Sequence, residues 1–196
     1  MVERRLRTER LLLVPLADRH LDLEVGLDAD PEVHRYLTGR AQTAAETAAA
    51  HAHRLARATQ LPGLGFWTAF TGGCGPPADE GAGEFVGLMM LPPVATPERF
   101  PGEAVAELGY RLLRRFWRQG LAGEASRALL DHAFGTAGQD RVVADTMAVN
   151  TASRATMRSL GMRHVRTFWP DVDEPLPGAE FGDVEYEITA REWRTW

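Results

Sequence analysis

The run from Ala104 to Phe134 constrains this chain more than any other stretch. Ala104–Leu113 predicts a strand, and a helix opens at Leu121 or Ala122. Leu121, Ala125, Ala128, Leu129, His132 and Ala133 fall on one face of that helix. The connection between the two is short and basic: Arg114–Arg115–Phe116–Trp117–Arg118–Gln119–Gly120. A helix N-terminus carries unpaired backbone N–H groups and the positive end of the helix dipole. Entering it through Gly120 and Gly123, with Arg118 alongside, makes a place for an anion, phosphate above all. The other reading of the same residues is an ordinary strand-to-helix connection that happens to be basic. The rest of the chain has to decide between them.

Bulk properties narrow the field. The 196 residues fit one domain, 1–196, with room for a substantial core. A net charge of -5 argues against a general nucleic-acid binder. All 22 basic side chains are arginine, which excludes a catalytic lysine or a Schiff base. The single cysteine, Cys74, excludes an internal disulfide and a cysteine-based zinc cluster, and suits a reducing cytoplasm. No stretch is apolar for long enough to span a bilayer, and Glu3, Arg4, Arg5 and Arg7 precede only a short apolar run. A cytoplasmic protein that engages neither nucleic acid nor membrane is the expectation.

Read in order, Leu6–Leu16 is a first strand. Asp18–Ala29 is a helix capped by Asp18, and Asp30–Pro31–Glu32–Val33 starts another that ends near Gly39. Thr43–Thr59 is a peripheral helix opened by a Thr43/Glu46 capping box. Phe66–Thr71 and Glu84–Leu91 are strands joined by a long Gly/Pro turn over 72–83, and Pro92–Gly102 is irregular. After the organising unit come a strand over Arg141–Val149, a short helix capped by Asn150 and closed by Gly161, and a strand over Arg163–Trp169. Asp171–Gly182 is a loop and Val184–Thr189 a last strand. The fold class is mixed α/β. Its two strand-to-helix units, 104–134 and 141–160, stand side by side, and a cleft opens where such strands diverge.

At this point a family resemblance enters. The pieces that carry it are Thr8–Glu9–Arg10–Leu11–Leu12–Leu13, Asp30–Pro31–Glu32–Val33, Phe66–Trp67–Thr68–Ala69, Ala106–Glu107–Leu108–Gly109–Tyr110, Trp117–Arg118–Gln119–Gly120–Leu121–Ala122–Gly123–Glu124–Ala125, Asn150 through Ser153–Arg154, and Leu160–Gly161–Met162. In their order and spacing the chain resembles the GNAT (Gcn5-related N-acetyltransferase) superfamily, and within it the RimJ/RimL branch. The resemblance implies a strongly twisted mixed sheet of six or seven strands with helices on both faces. It also implies transfer of acetyl from acetyl-CoA to a primary amine, either a protein N-terminus or a small molecule. A homodimer is compatible with it. Where the wider family has Gln or Arg at the head of its pyrophosphate turn, this chain has Trp117, as the RimJ/RimL branch does.

Carried over residue by residue, the resemblance places Trp117, Arg118, Gln119, Gly120, Leu121, Ala122 and Gly123 around the pyrophosphate. The backbone of Leu112 and Leu113 meets the pantetheine arm. Glu107 is the implied general base, since the attacking amine must lose a proton. It can equally hold a cationic substrate or pair with an arginine. Asn150 is implied to bind the cofactor arm, although a helix N-cap is reading enough for it. Ser153 is implied near the sulfur as a proton donor to the thiolate, for which solvent is a sufficient alternative. A backbone N–H of the strand over 141–149 would polarise the thioester carbonyl. The acceptor pocket falls to Asp30–Gln60, Pro92–Gly102 and Asp171–Gly182. There Asp171, Asp173 and Glu174 either draw in a cation or lie solvated.

Other signals lead nowhere. Gly120–Leu121–Ala122–Gly123 lacks the Gly-Lys-Ser/Thr ending of a nucleotide P-loop. Ser126, Asp131 and His132 share one helix without a nucleophile elbow. His51 and His53 point to different helix faces, so no metal is expected. The competing function is a protein that binds acyl-CoA for regulation or assembly without turnover.

Overall fold

Leu11, Leu12, Leu13 and Val14 are all buried, so both faces of their strand must be covered. The computed structural model, which describes residues 5–59, 63–72 and 83–196, shows how. The expected strand over 6–16 is a hairpin: β1 (Leu6–Arg7) turns through Thr8–Arg10 into β2 (Leu11–Pro15). The polar Thr8–Glu9–Arg10 segment cannot continue a strand this deeply buried, and Thr8 N–H closes the turn on Leu11 C=O at 2.9 Å. The helix expected from Asp18 begins as a 3-10 turn over Asp18–His20, and α1 proper is Leu21–Asp28. The cap position falls on Ala17, which places Asp18 inside the turn.

No regular helix forms over 30–39. In that segment only His34 is buried, so no apolar stripe pulls it into register against the core. Instead the His34 carbonyl accepts the amides of Leu37, Thr38 and Gly39, and Asp30 Oδ1 accepts the Glu32 amide. α2 (Ala44–Ala58) keeps the Thr43/Glu46 capping box that its sequence announces. β3 (Gly65–Thr71) and β4 (Phe85–Leu91) pair antiparallel as expected. Most of the turn between them, Cys74 included, lies outside the described residues.

The main departure concerns the strand expected over 104–113. It is two strands in two sheets, β5 (Val105–Glu107) and β6 (Gly109–Leu112). β6 closes a five-stranded sheet in the order β1-β2-β3-β4-β6 by pairing antiparallel with β4. β5 opens a second sheet, β5-β7-β9-β8, by pairing parallel with β7 (Arg141–Met147). The remaining strands are β8 (Arg163–Phe168) and β9 (Asp183–Thr189). The switch falls on Leu108, whose N–H still reaches Val143 C=O at 2.8 Å, while Glu107 N–H turns to Pro92 C=O at 2.8 Å.

Helices cover the sheets on two sides. α3 (Leu121–Gly135) and α4 (Thr151–Ser159) pack Leu121, Leu129, Ala133 and Met157 on Leu11, Leu13, Val142, Tyr186 and Ile188. On the opposite side α1 and α2 bring Leu27, Leu55 and Ala58 to Leu12, Val14, Phe66, Phe70 and Leu88. A short α5 (Ala190–Trp193), not foreseen from the sequence, ends the chain. There Trp193 and Trp196 stack at 5.9 Å and the Arg127 guanidinium lies over both rings.

Gly87 sets how closely β6 approaches β4. A Cβ there would stand 2.1 Å from the Arg111 carbonyl oxygen and 2.8 Å from Leu112 Cα. Both neighbours are backbone, so they can give way only by moving the strand. Gly87→Ala is therefore expected to cost roughly 1–3 kcal/mol by overpacking, read as a lower urea midpoint. An unchanged midpoint would mean that β6 is not held this tightly.

Candidate functional site

Beyond Leu108 the two sheets part, and the facing edges of β6 and β7 are not paired with each other. The direction of their backbone groups follows from alternation along a strand. Leu113 N–H donates to Val86 C=O on the β4 side, whereas Leu108 N–H points to β7. Tyr110 and Leu112 therefore turn their backbone groups into the gap. On β7, Ala148 N–H goes to Gly182 near β9, so Asp145 and Met147 face the gap from the other wall. A ligand chain carrying amides can pair with backbone groups that face it in this way.

This refines two sequence expectations. Leu112 faces the gap, but its carbonyl already accepts the Trp117 indole N–H at 2.8 Å. Leu113 faces away, with its N–H on Val86 and its C=O taken by the Phe116 amide. Trp117 thus acts as a brace between β6 and the following turn.

The turn itself has the form of an anion cradle. Arg118 has φ +59°, the one non-glycine residue with positive φ among the described residues, and Gly120 has φ +76°. Gly120 is also the N-cap of α3, and a glycine offers no side chain to satisfy the first-turn amides of Leu121, Ala122 and Gly123. Space is not the reason for the glycine, because a Cβ at 120 would meet only an Arg10 nitrogen at 3.5 Å. The left-handed backbone is the reason. Gln119 is tied down by its side-chain Nε2, which donates to Arg115 C=O, and the Arg118 side chain is exposed.

At the far end of the gap the second strand-to-helix unit supplies Asn150 and Ser153. Asn150 is the N-cap of α4: its Oδ1 accepts the Ser153 amide, and its Nδ2 donates to Thr146 Oγ1 at 3.0 Å and Ser153 Oγ at 3.2 Å. Tyr110 OH reaches the same Ser153 Oγ at 3.4 Å from across the gap. Ser153 accepts both bonds, which leaves its hydroxyl proton free to be donated.

Glu107 ends β5 at the point of divergence. Its flanking residues Ala106 and Leu108 point into the α3 side of the core, so Glu107 projects to the opposite face. Burial pushes its carboxyl up from the ordinary value, with Arg57 opposing and Glu185 adding to the rise. Asp145 and Glu185 are cross-strand partners on this face. Desolvation of the Asp145 carboxyl, together with the charges of Glu185 and Glu107, pushes it up to about 7, although the residue as a whole is exposed at the rim of this face. Glu185 itself is held low: burial would raise it, but Arg99 clamps it with two bonds of 2.8 Å and Arg166 adds a third. Sequence reasoning missed Asp145, Glu185 and Arg99. The only signal for the two carboxylates was the odd-numbered acids along two strands read otherwise as core, and Arg99 gave none.

Beneath the loop over 30–42 lies a buried polar knot. Arg111 NH1 bonds Asp28 at 2.9 Å and His34 Nε2 at 3.2 Å, and His34 Nδ1 reaches Thr38 Oγ1. This knot seats the loop, whose outer residues Arg35, Tyr36 and Gly39 face Val149, Pro177 and Gly178 across a cavity of about 460 Å³. Two of the segments expected to form an acceptor pocket therefore meet beside Asn150. Pro92–Gly102 lies elsewhere on the acidic face, strapped there by Arg99. Asp171, Asp173 and Glu174 are exposed. His132 is a core histidine on Gly63 C=O, Trp67 is buried against it, and no metal cluster occurs among the described residues.

Comparisons with known proteins identify the family. The family profile described as an acetyltransferase (GNAT) domain matches residues 10–163. The chain belongs to the GNAT acetyltransferase family. The FsC-acetyl coenzyme A-N(2)-transacetylase of Aspergillus fumigatus is 40% identical over 192 residues, covering 96% of this chain and 77% of that protein. A putative acetyltransferase from T. thermophilus superposes with a TM-score of 0.69 at 28% identity, over 100% of this chain and 94% of that one. RimL, a ribosomal alpha-N-protein acetyltransferase solved in complex with coenzyme A, has a TM-score of 0.74 over 95% of this chain and 98% of its own. At 18% identity that likeness is one of fold. This GNAT enzyme moves acetyl from acetyl-CoA to an amine.

The Asp145 shift has a signed consequence. Its folded value of about 7 lies above the unfolded 3.8, so the ionised carboxyl weakens the fold at high pH and has no effect once both states are protonated. Asp145→Asn is expected to raise Tm above pH 7 and to leave it unchanged below about pH 4. A Tm difference independent of pH would remove Asp145 from this cluster.

Proposed function

We propose that this GNAT enzyme, one catalytic unit spanning 1–196, acetylates the primary amine of a small molecule rather than a protein N-terminus. The observation that carries the reading is the cavity of about 460 Å³ between the 35–39 loop, Val149 and Pro177–Gly178, at the Asn150 end of the gap. Its size suits a compact ligand. The fungal relative's name, which places acetyl on a nitrogen numbered N(2), supports a defined amine as acceptor. The motif over 117–125 supports the RimJ/RimL branch within the family. The acidic net charge and single cysteine support a cytoplasmic enzyme that needs neither nucleic acid nor membrane. Among the described residues no helix is long and apolar enough to cross a membrane. A homodimer is compatible with this reading, which does not require one.

In the proposed mechanism the turn over Trp117–Gly120 and the first-turn amides of Leu121, Ala122 and Gly123 hold the diphosphate. The edges of β6 and β7 hold the arm, and Asn150 fixes its end. The body of the acceptor rests in the cavity beside Val149, and its ammonium group reaches along the gap toward the carboxylates of the β5-β7-β9 face. Glu107 takes its proton, directly or through water, and the neutral amine attacks the thioester carbonyl. A backbone N–H facing the gap from β7 steadies the oxyanion. As the C–S bond breaks, the thiolate takes a proton relayed through the Ser153 hydroxyl, which regains it from the nitrogen as that atom sheds its second proton to form the amide. Burial keeps Glu107 above the ordinary carboxyl range, which makes it a stronger base than a solvated glutamate.

Two measurements test this reading. CoA release should be screened across amino sugars, polyamines, amino-acid derivatives and N-terminal peptides. A small amine is expected to exceed every peptide in kcat/KM by at least about tenfold, and turnover confined to peptides would overturn the proposal. Glu107→Gln is expected to lower the rate by roughly 10²–10⁴-fold, with the greatest loss at low pH where amine deprotonation limits. An unchanged pH–rate profile would take Glu107 out of the base role.

A further inference from the structure

The turn ahead of α3 does not keep its shape unaided. A left-handed backbone at a non-glycine residue such as Arg118 persists only where its surroundings over-determine it. Trp117 braces one side through Leu112. The other side is held from far away in the sequence, by the β1–β2 turn.

Arg10 in that turn makes three distinct bonds. Its Nε donates to Glu124 Oε2 at 2.6 Å, its backbone N–H donates to Glu124 Oε1 at 2.8 Å, and its NH1 donates to the Gln119 carbonyl at 2.9 Å. Thr8 adds a hydroxyl bond to Glu124 Oε1 at 2.5 Å. One guanidinium thus joins the first turn of α3 to the carbonyl in the middle of the anion cradle. Its other terminal nitrogen, NH2, lies at the Gly120 edge, 3.5 Å from where a Cβ would stand.

The electrostatics require this arrangement. Glu124 sits in the first turn of α3, where a carboxylate suits the helix dipole but opposes a diphosphate arriving at the same N-terminus. Burial would raise its pKa, yet the bonds from Thr8 and Arg10 outweigh burial and keep it below the ordinary value, so it is fully charged. A charge of opposite sign must accompany it if the cradle is to stay attractive to phosphate.

We propose that Arg10 is a positioning residue for acetyl-CoA. Its planar fork locks the left-handed turn over Arg118–Gly120 through Gln119, cancels the Glu124 charge, and leaves NH2 facing the place of the diphosphate. The inference rests on the reading of 117–123 as the diphosphate site. Lysine has the charge but lacks the fork, so it cannot hold Gln119 and Glu124 at once.

The test uses calorimetric titration of the full chain with CoA, and NMR titration with S-acetylpantetheine, which lacks the diphosphate. Arg10→Ala is expected to weaken CoA binding about tenfold, with Arg10→Lys recovering less than half of that loss on a logarithmic scale. S-acetylpantetheine binding should stay within about twofold, and Tm within a few degrees, because the Arg10 side chain is about half exposed and Glu124 keeps its bonds from Thr8 and the Arg10 backbone. Equal losses for CoA and S-acetylpantetheine would show a general lesion and overturn the proposal. If Arg10→Ala fails to fold, Arg10→Lys decides, and wild-type CoA affinity in that variant refutes the fork. Gly120→Val serves as the control for the underlying reading. If it abolishes CoA binding while Arg10→Ala does not weaken it, only the Arg10 inference fails. If neither variant weakens binding, the diphosphate reading fails with it.

Discussion

One hydrogen bond marks the place on which the architecture turns. Leu108 N–H on Val143 C=O is the last link between the two halves of the sheet before they separate. One residue later the chain belongs to a different sheet, paired with β4 and held close by the bare backbone of Gly87. Everything that defines the candidate site is referred to this point. Glu107 is the residue before it, Tyr110 and Leu112 line the gap beyond it, and the turn into α3 starts where β6 ends. Sheet twist would separate neighbouring strands only gradually. Here a single switch of partner does so abruptly and leaves two unpaired edges facing each other.

Much of this was legible from the residues. The capping box at Thr43 and Glu46, the glycine-bearing turn into α3, the Asn150 cap and the Gly161 terminus are local chemistry, and they appear where the sequence puts them. The strand over 104–113 was legible as extended chain but not as two strands. Partner choice depends on β4 and β7, distant in sequence, and a continuous apolar run does not record it. The helix expected over 30–39 failed for a related reason. Asp30 and Pro31 signal a helix start, but without an apolar stripe the start has nothing to propagate against, and buried polar partners around His34 took over.

The candidate site divides in the same way. Residues within one turn or one cap, such as Gly120, Asn150 and Ser153, could be named from sequence. The carboxylates Asp145 and Glu185 could not, because their significance comes from cross-strand register. Nor could Arg99, which crosses from an irregular loop to clamp Glu185. Leu113 shows the limit at the finest scale: adjacent residues of a strand face opposite ways, and one hydrogen bond to Val86 decides which way.

The composition of these ion pairs has a chemical corollary. Every cation that straps the loops, seats the knot beneath the 30–42 segment and neutralises the strand carboxylates is a guanidinium, since the chain has 22 arginines and no lysine. Guanidinium groups stay protonated at any pH the enzyme meets and do not act as amine nucleophiles. A catalyst that acetylates primary amines thus carries no side-chain amine of its own for its donor to acetylate.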